Sequence, residues 1–155
     1  MGSRRKGRIL AFQALFAWDA RCSQTGDVSL PEGLLDFSWA ARADDPPVPD
    51  EEMAAFSRLL VTGTVENIIP VDDMIRKHLE NWDLKRLNRV DLAVLRMSVY
   101  TLMFQPEMPP TVVIDEAICI AKEFGTDDSY RFVNGVLDGV RKTLAPVPCR
   151  EAAGQ

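Results

Sequence analysis

Four cations crowd the start of this chain. Arg4, Arg5, Lys6 and Arg8 precede any carboxylate, the first of which is Asp19, in a chain whose formal net charge is −5. Positive side chains this close together can hold phosphate oxygens along a nucleic-acid strand. Positions 44 to 52, "DDPPVPDEE", hold five carboxylates and no cation. That asymmetry of sign points to a directed field rather than a solubility coat; the competing reading is a short solvated arm. A second group lies in "DSYRFVNGVLDGV". At about 100° per residue, Asp128, Arg131, Phe132, Gly135 and Gly139 share one side of a helix, and Val133, Val136, Leu137, Val140 and Leu144 share the buried one. Each glycine in a helix costs about 1 kcal/mol relative to alanine. Either a neighbouring helix packs closely there, or the surface is flat so that a nucleic acid can lie on it. In the second case Phe132 stacks on a base and Arg131 meets phosphate.

Other chemistry is poorly supplied. His78 is the only histidine, and the three cysteines, Cys22, Cys119 and Cys149, have no short spacing. No zinc or other metal site is expected from that pattern. The sequence contains no nucleophile–base pairing, phosphate loop or dinucleotide glycine motif, so neither a cofactor nor enzymatic activity is expected. His78, in "RKHLENW", reads as an exposed helical histidine. The cysteines read as small hydrophobes or a tail thiol in a reducing cytoplasm. No run reaches the roughly 18 apolar residues of a membrane span. Gln13, Trp18, Asp19 and Arg21 interrupt the apolar stretch after the basic start, unlike a signal peptide. A cytoplasmic location is expected, with no membrane partner.

These groups need a scaffold, and the periodicity supplies only helices. Apolar content of 46% and charged content of 26% are ordinary for a globular chain. A helix is predicted from about Ser3 to Cys22, with Ser3 as N-cap and Ile9, Ala11, Phe12, Leu15, Phe16 and Trp18 as its apolar stripe. "LPEGLLDFSWAAR" predicts a short helix with Leu35 and Trp39 facing the body. Asp50 caps a helix of about 51–68 with Phe56, Leu59, Leu60, Gly63 and Val65 inward. Pro70 opens another, with Met74, Ile75, Leu79 and Trp82 inward. Asn88 caps "NRVDLAVLRMSVYTLMFQ", apolar on nearly every side and so expected at the middle of a bundle. "TVVIDEAICIAKEFG" follows, stopped by Gly125 as a C′ glycine, and Asp127 or Asp128 opens the last helix. The fold class is all-α, with six to seven helices in two packed bundle subdomains. One domain of 1–144 is expected, with subdomains of about 3–68 and 69–144 and a disordered tail of 145–155.

"RRKGRILAFQALFAWD", "LENWDLKRLNRVDLAVLRMSVYTLMF", "PPTVVIDEAICIAKEFG" and "DSYRFVNGVLDGV" resemble the NusB family of transcription antitermination factors, from about residue 4 to 144, with 23–50 poorly matched. The resemblance implies binding of boxA-type RNA of ribosomal RNA transcripts. It also implies pairing with NusE, a ribosomal small-subunit protein, within the RNA polymerase antitermination complex. Carried over by position, the RNA-binding residues are Arg4, Arg5, Lys6, Arg8, Asp128, Ser129, Arg131, Phe132 and Asn134, and the partner-binding residues are Phe16 and Asp91. From position alone Asp91 has a second reading, as a carboxylate favouring the helix start at N3; a partner contact requires it to point outward. Gly7 and Ile9 stand where alanine and glutamate are usual, so a looser arm is expected. Phe16 stands where tyrosine is common, and Leu92 where a basic residue is frequent. A related fold precedes certain ribosomal RNA cytosine methyltransferases, an activity the length of this chain is expected to exclude. The alternatives are a protein–protein scaffold or a self-associating helical adaptor, including a homodimer, without RNA affinity of its own.

Overall fold

The computed structural model describes residues 3–31, 33–37, 39, 51–80 and 83–145. Six α-helices run through them: α1 (Ser3–Thr25), α2 (Glu51–Glu66), α3 (Ile68–Lys77), α4 (Arg89–Phe104), α5 (Pro110–Phe124) and α6 (Ser129–Leu144). Short 3-10 turns lie at Leu34–Asp36 and Leu84–Arg86, and there is no strand among the described residues. The all-α expectation holds.

The helix expected at the middle is there. α4 packs against α1, α2, α3, α5 and α6. Ten consecutive-turn positions from Asp91 to Thr101 are buried, Arg96 alone among them being partly open. Its start is fixed by Asn88, whose side chain accepts the Val90 N–H at 2.8 Å. Arg96 ties three helices together: its guanidinium donates to both oxygens of Asp72 on α3, at 2.9 and 3.0 Å, and to Asp19 on α1 at 3.2 Å. A planar fork matched to a carboxylate fixes orientation as well as distance.

α6 buries Val133, Val136, Leu137 and Val140 against α4 and α5. Burial of each contributes on the order of 2 kcal/mol, which outweighs the ~1 kcal/mol that each glycine of the same helix costs.

Several side chains depart from their predicted places. Leu59, expected inward, is 51% exposed; Leu144 and Trp39 are exposed too. The α2 register instead buries Ala54, Ser57, Leu60, Val61, Gly63 and Thr64, because α1 and α4 approach that side. In the segment before α2 it is Phe37 that is fully buried, while the Trp39 indole N–H donates to the Leu34 carbonyl at the surface. Gly125 ends α5 with φ −95°, outside the left-handed region. Its lack of a side chain serves packing instead: a Cβ there would collide with the Ser129 side chain. Asp128 makes no side-chain cap bond to α6. The Ser129 hydroxyl accepts the Thr126 N–H at 2.9 Å, closing the turn that opens the helix. The predicted Asp50 cap, inward Trp82 and the tail beyond Ala145 lie outside the described residues.

Candidate nucleic-acid interface

Arg4, Arg5, Lys6 and Arg8 occupy the first two turns of α1. Cations there oppose the helix dipole, and the fold answers with one carboxylate from a distant element. Glu116 of α5 accepts the Arg5 fork, Nε to Oε1 at 3.0 Å and Nη2 to Oε2 at 2.6 Å. Arg8 reaches the same carboxylate at 3.7 Å. The Arg5 hydrogen bonds foremost, with the charges of Arg5 and Arg8, hold the Glu116 carboxyl below its usual range despite partial burial. Arg8 is only 7% exposed. Its guanidinium lies 5.4 Å from the Phe56 ring centroid and that of Arg4 lies 4.6 Å away. Burial pushes the Arg8 pKa down, against the pull of Glu116.

The expected looseness at Gly7 is overturned. Gly7 is buried, and a Cβ on it would come within 2.7 Å of the Phe56 ring. The Ser57 hydroxyl donates to its carbonyl at 2.8 Å. The glycine thus lets α2 close on α1 and sets the arm rigidly. Arg4 and Lys6 are exposed, Arg5 is half-buried and Arg8 supports them from beneath.

At the start of α6, Asp128, Arg131 and Asn134 are exposed, Phe132 is half-buried against the core, and Ser129 is buried. Sequence reasoning missed Tyr130. Lys122 Nζ lies 4.9 Å and the Arg131 guanidinium 5.4 Å from its ring centroid, and Arg131 Nε donates to its hydroxyl at 3.0 Å. The one aromatic ring attracts both cations and so positions them without a carboxylate. The adjacent Tyr130–Arg131 pair was the available signal; Lys122 was not readable as its neighbour. The two glycines of α6 separate. A Cβ on Gly139 would lie 2.7 Å from His78 Nδ1, whereas one on Gly135 would meet nothing within 4 Å. Close packing accounts for Gly139, and Gly135 belongs to an open surface. His78 is correspondingly half-buried rather than exposed, its Nε2 being 3.1 Å from Thr143 Oγ1.

The exposed side of α5 joins the two groups. Arg5 Nη2 lies 3.8 Å from Cys119 Sγ; one turn further along, Lys122 covers Tyr130. Cations from α1, α5 and α6 thus adjoin along α5, where Glu116 binds Arg5 and Glu123 also acts on it.

Phe16 and Asp91 behave differently from each other. Phe16 is 37% exposed and borders a shallow depression formed with Phe12, Gln13, Val90 and Phe124. Asp91 is 7% exposed, and its Oδ1 is sealed without a hydrogen-bond partner. Burial raises its pKa, and a hydrogen bond from Ser129 opposes the rise. The outward orientation that a partner contact requires is not the one observed, because Ser129 and the α6 turn cover the carboxylate.

These features define a class: an all-helical protein that displays cations and aromatic rings along one face of its bundle. The NusB family profile matches residues 5–142. A transcription antitermination protein NusB of Treponema pallidum (strain Nichols) is 53% identical over 140 residues, covering 90% of this chain and 93% of that protein. Among solved structures, a "T. maritima NusB" structure superposes with a TM-score of 0.75 at 38% identity, over 92% of this chain and 93% of that one. A complex of the antitermination factors NusB and NusE with double-stranded RNA gives 0.74 at 26% identity, over 92% and 98%. The chain belongs to the NusB family.

Proposed function

We infer that the chain is a transcription antitermination factor that binds boxA-type RNA of ribosomal RNA transcripts together with NusE. In this reading it acts in the cytoplasm, as a non-enzymatic adaptor within the RNA polymerase antitermination complex. The names of its relatives support the role, and the NusB–NusE–RNA complex of similar fold supports both partners. The observation that carries the reading is the run of cations from Arg4 and Lys6 across α5 to Lys122, Tyr130 and Arg131. Phosphate contacts along it supply affinity, and rings at the α6 end supply base contacts. Phe16 and its depression are the surface assigned to NusE; Asp91 would have to swing outward to join it.

The test is binding of the purified chain, alone and with NusE, to boxA-like and scrambled oligomers across a salt series. Preference for the boxA-like oligomer, with log affinity falling by about 0.7 per phosphate contact for each decade of salt, is expected. Equal, salt-insensitive binding of both oligomers contradicts the reading. If the isolated chain has no affinity at low salt and only the NusE complex binds, the RNA contact belongs to the partner.

A further inference from the structure

A cavity of about 360 Å³ opens beside the arginine arm, between α1, the first half of α2 and the α4–α5 connection. Its walls include Arg4, Glu52, Phe56, Leu59, Gln105 and Glu107. Two of these are unusual for a surface depression. Gln105 is only 8% exposed, yet its side-chain amide has no hydrogen-bond partner among the described residues. Asp91 Oδ1 is the sole sealed side-chain polar atom lacking one there, so the Gln105 amide is reached by solvent, and it is reached through this cavity. Leu59 stands 51% exposed on the same wall. A ligand with a complementary edge can take the place of solvent at that amide.

We propose that this cavity receives one unstacked nucleobase of the bound RNA, favouring a base that carries an exocyclic amino group. The size suits a small planar ligand. Leu59 and Phe56 offer apolar faces, and the Arg4 guanidinium, held 4.6 Å from the Phe56 ring centroid, extends that platform. The Gln105 amide presents a donor and an acceptor to a base edge. Glu52 and Glu107 accept from amino groups and repel phosphate, so the neutral base enters while the backbone stays outside on Arg4 and Lys6. Strand and base would thus share Arg4, one at the rim and one at the mouth.

The proposal rests on the RNA-binding reading above, and its test separates the two. The intact chain with NusE is titrated against a boxA-type oligoribonucleotide, either complete or with a single abasic site moved along it. Loss of a stacked base is expected to weaken wild-type binding about tenfold at one position, with a smaller loss when that base is replaced by its des-amino analogue. In Gln105→Ala, and in Leu59→Asp at an already exposed position, the same abasic site is expected to be silent. If every position responds alike in all three proteins while Arg4→Ala still flattens the salt dependence, the pocket proposal fails and the RNA reading stands. If Leu59→Asp weakens NusE binding and leaves the abasic profile unchanged, the cavity holds a peptide and the proposal is overturned. If the wild-type chain binds no RNA with or without NusE, the RNA reading fails and takes the pocket with it.

Discussion

The starts of α1 and α6 carry similar charges by different means. At α1 the cations lean on a carboxylate: Glu116 holds Arg5 by two hydrogen bonds and lies 3.7 Å from Arg8. At α6 they lean on a ring: Lys122 and Arg131 both cover Tyr130. The first arrangement is rigid and partly neutralised. In the second, neither cation is ion-paired among the described residues, although Asp127 and Asp128 lie exposed just before the helix. A count of basic residues treats these as equivalent, whereas the identity of the counter-group decides how much field reaches a ligand.

The comparison is broken most sharply by Glu116→Ala. It strands Arg8 as a buried cation and is expected to cost about 2 kcal/mol of stability in urea titration, below the figure for a fully buried pair because Glu116 is part-exposed. An unchanged midpoint would mean that Phe56 alone supports Arg8. Next in size, Tyr130→Ala is expected to weaken RNA binding about tenfold by removing the ring that aligns two cations, with helicity by circular dichroism intact. A third contrast uses the glycines. Gly139→Ala should destabilise by about 1 kcal/mol through its clash with His78, and Gly135→Ala should stabilise by about the same amount through helix propensity while weakening RNA binding. Lys6→Ala, at an exposed position, should leave stability unchanged, weaken RNA binding modestly for every sequence and lower the salt slope by about 0.7.

Proton linkage gives the smallest and most specific contrast. The Glu116 carboxyl is held below its usual range, first by Arg5. Its stability contribution is therefore present above the ordinary glutamate value and lost as pH falls through the depressed one. Asp91 is shifted the other way by burial. Its fold binds a proton more readily than the unfolded chain, so stability drops as pH rises from the ordinary value of 3.8 through the raised one. Asp91→Asn is accordingly expected to raise the melting temperature at pH 7 and to have no such benefit below pH 3.8; an equal effect at both would show that the carboxylate is not confined.

Much of the scaffold was legible in advance because it depends on local spacing. The stripe of Val133, Val136, Leu137 and Val140, the Asn88 cap and the all-round apolar α4 each declare themselves within a turn or two. The exceptions are set by partners distant in sequence. Leu59 fits an apolar period, but only the approach of α1 and α4 determines which side of α2 is inside. Glu116 lies 111 residues from Arg5, and no spacing rule connects them. Asp91 obeys the N3 preference, yet its burial comes from Ser129, on another helix. The Gly135–Gly139 pair was identified as meaningful, but only the position of His78 could divide its two roles. Of the candidate site, the residues were readable and their availability was not.

If Arg5 is one of the RNA contacts, as proposed above, its bond to Glu116 makes capture a trade. A phosphate that takes the guanidinium must evict a carboxylate of matching fork geometry, so the chain gives up one internal bond for each external one it forms there. Weakly placed polyanions gain little from that swap, and the arm keeps its shape between transcripts. Selectivity at this corner would then arise from what the ligand has to displace, as much as from what it touches.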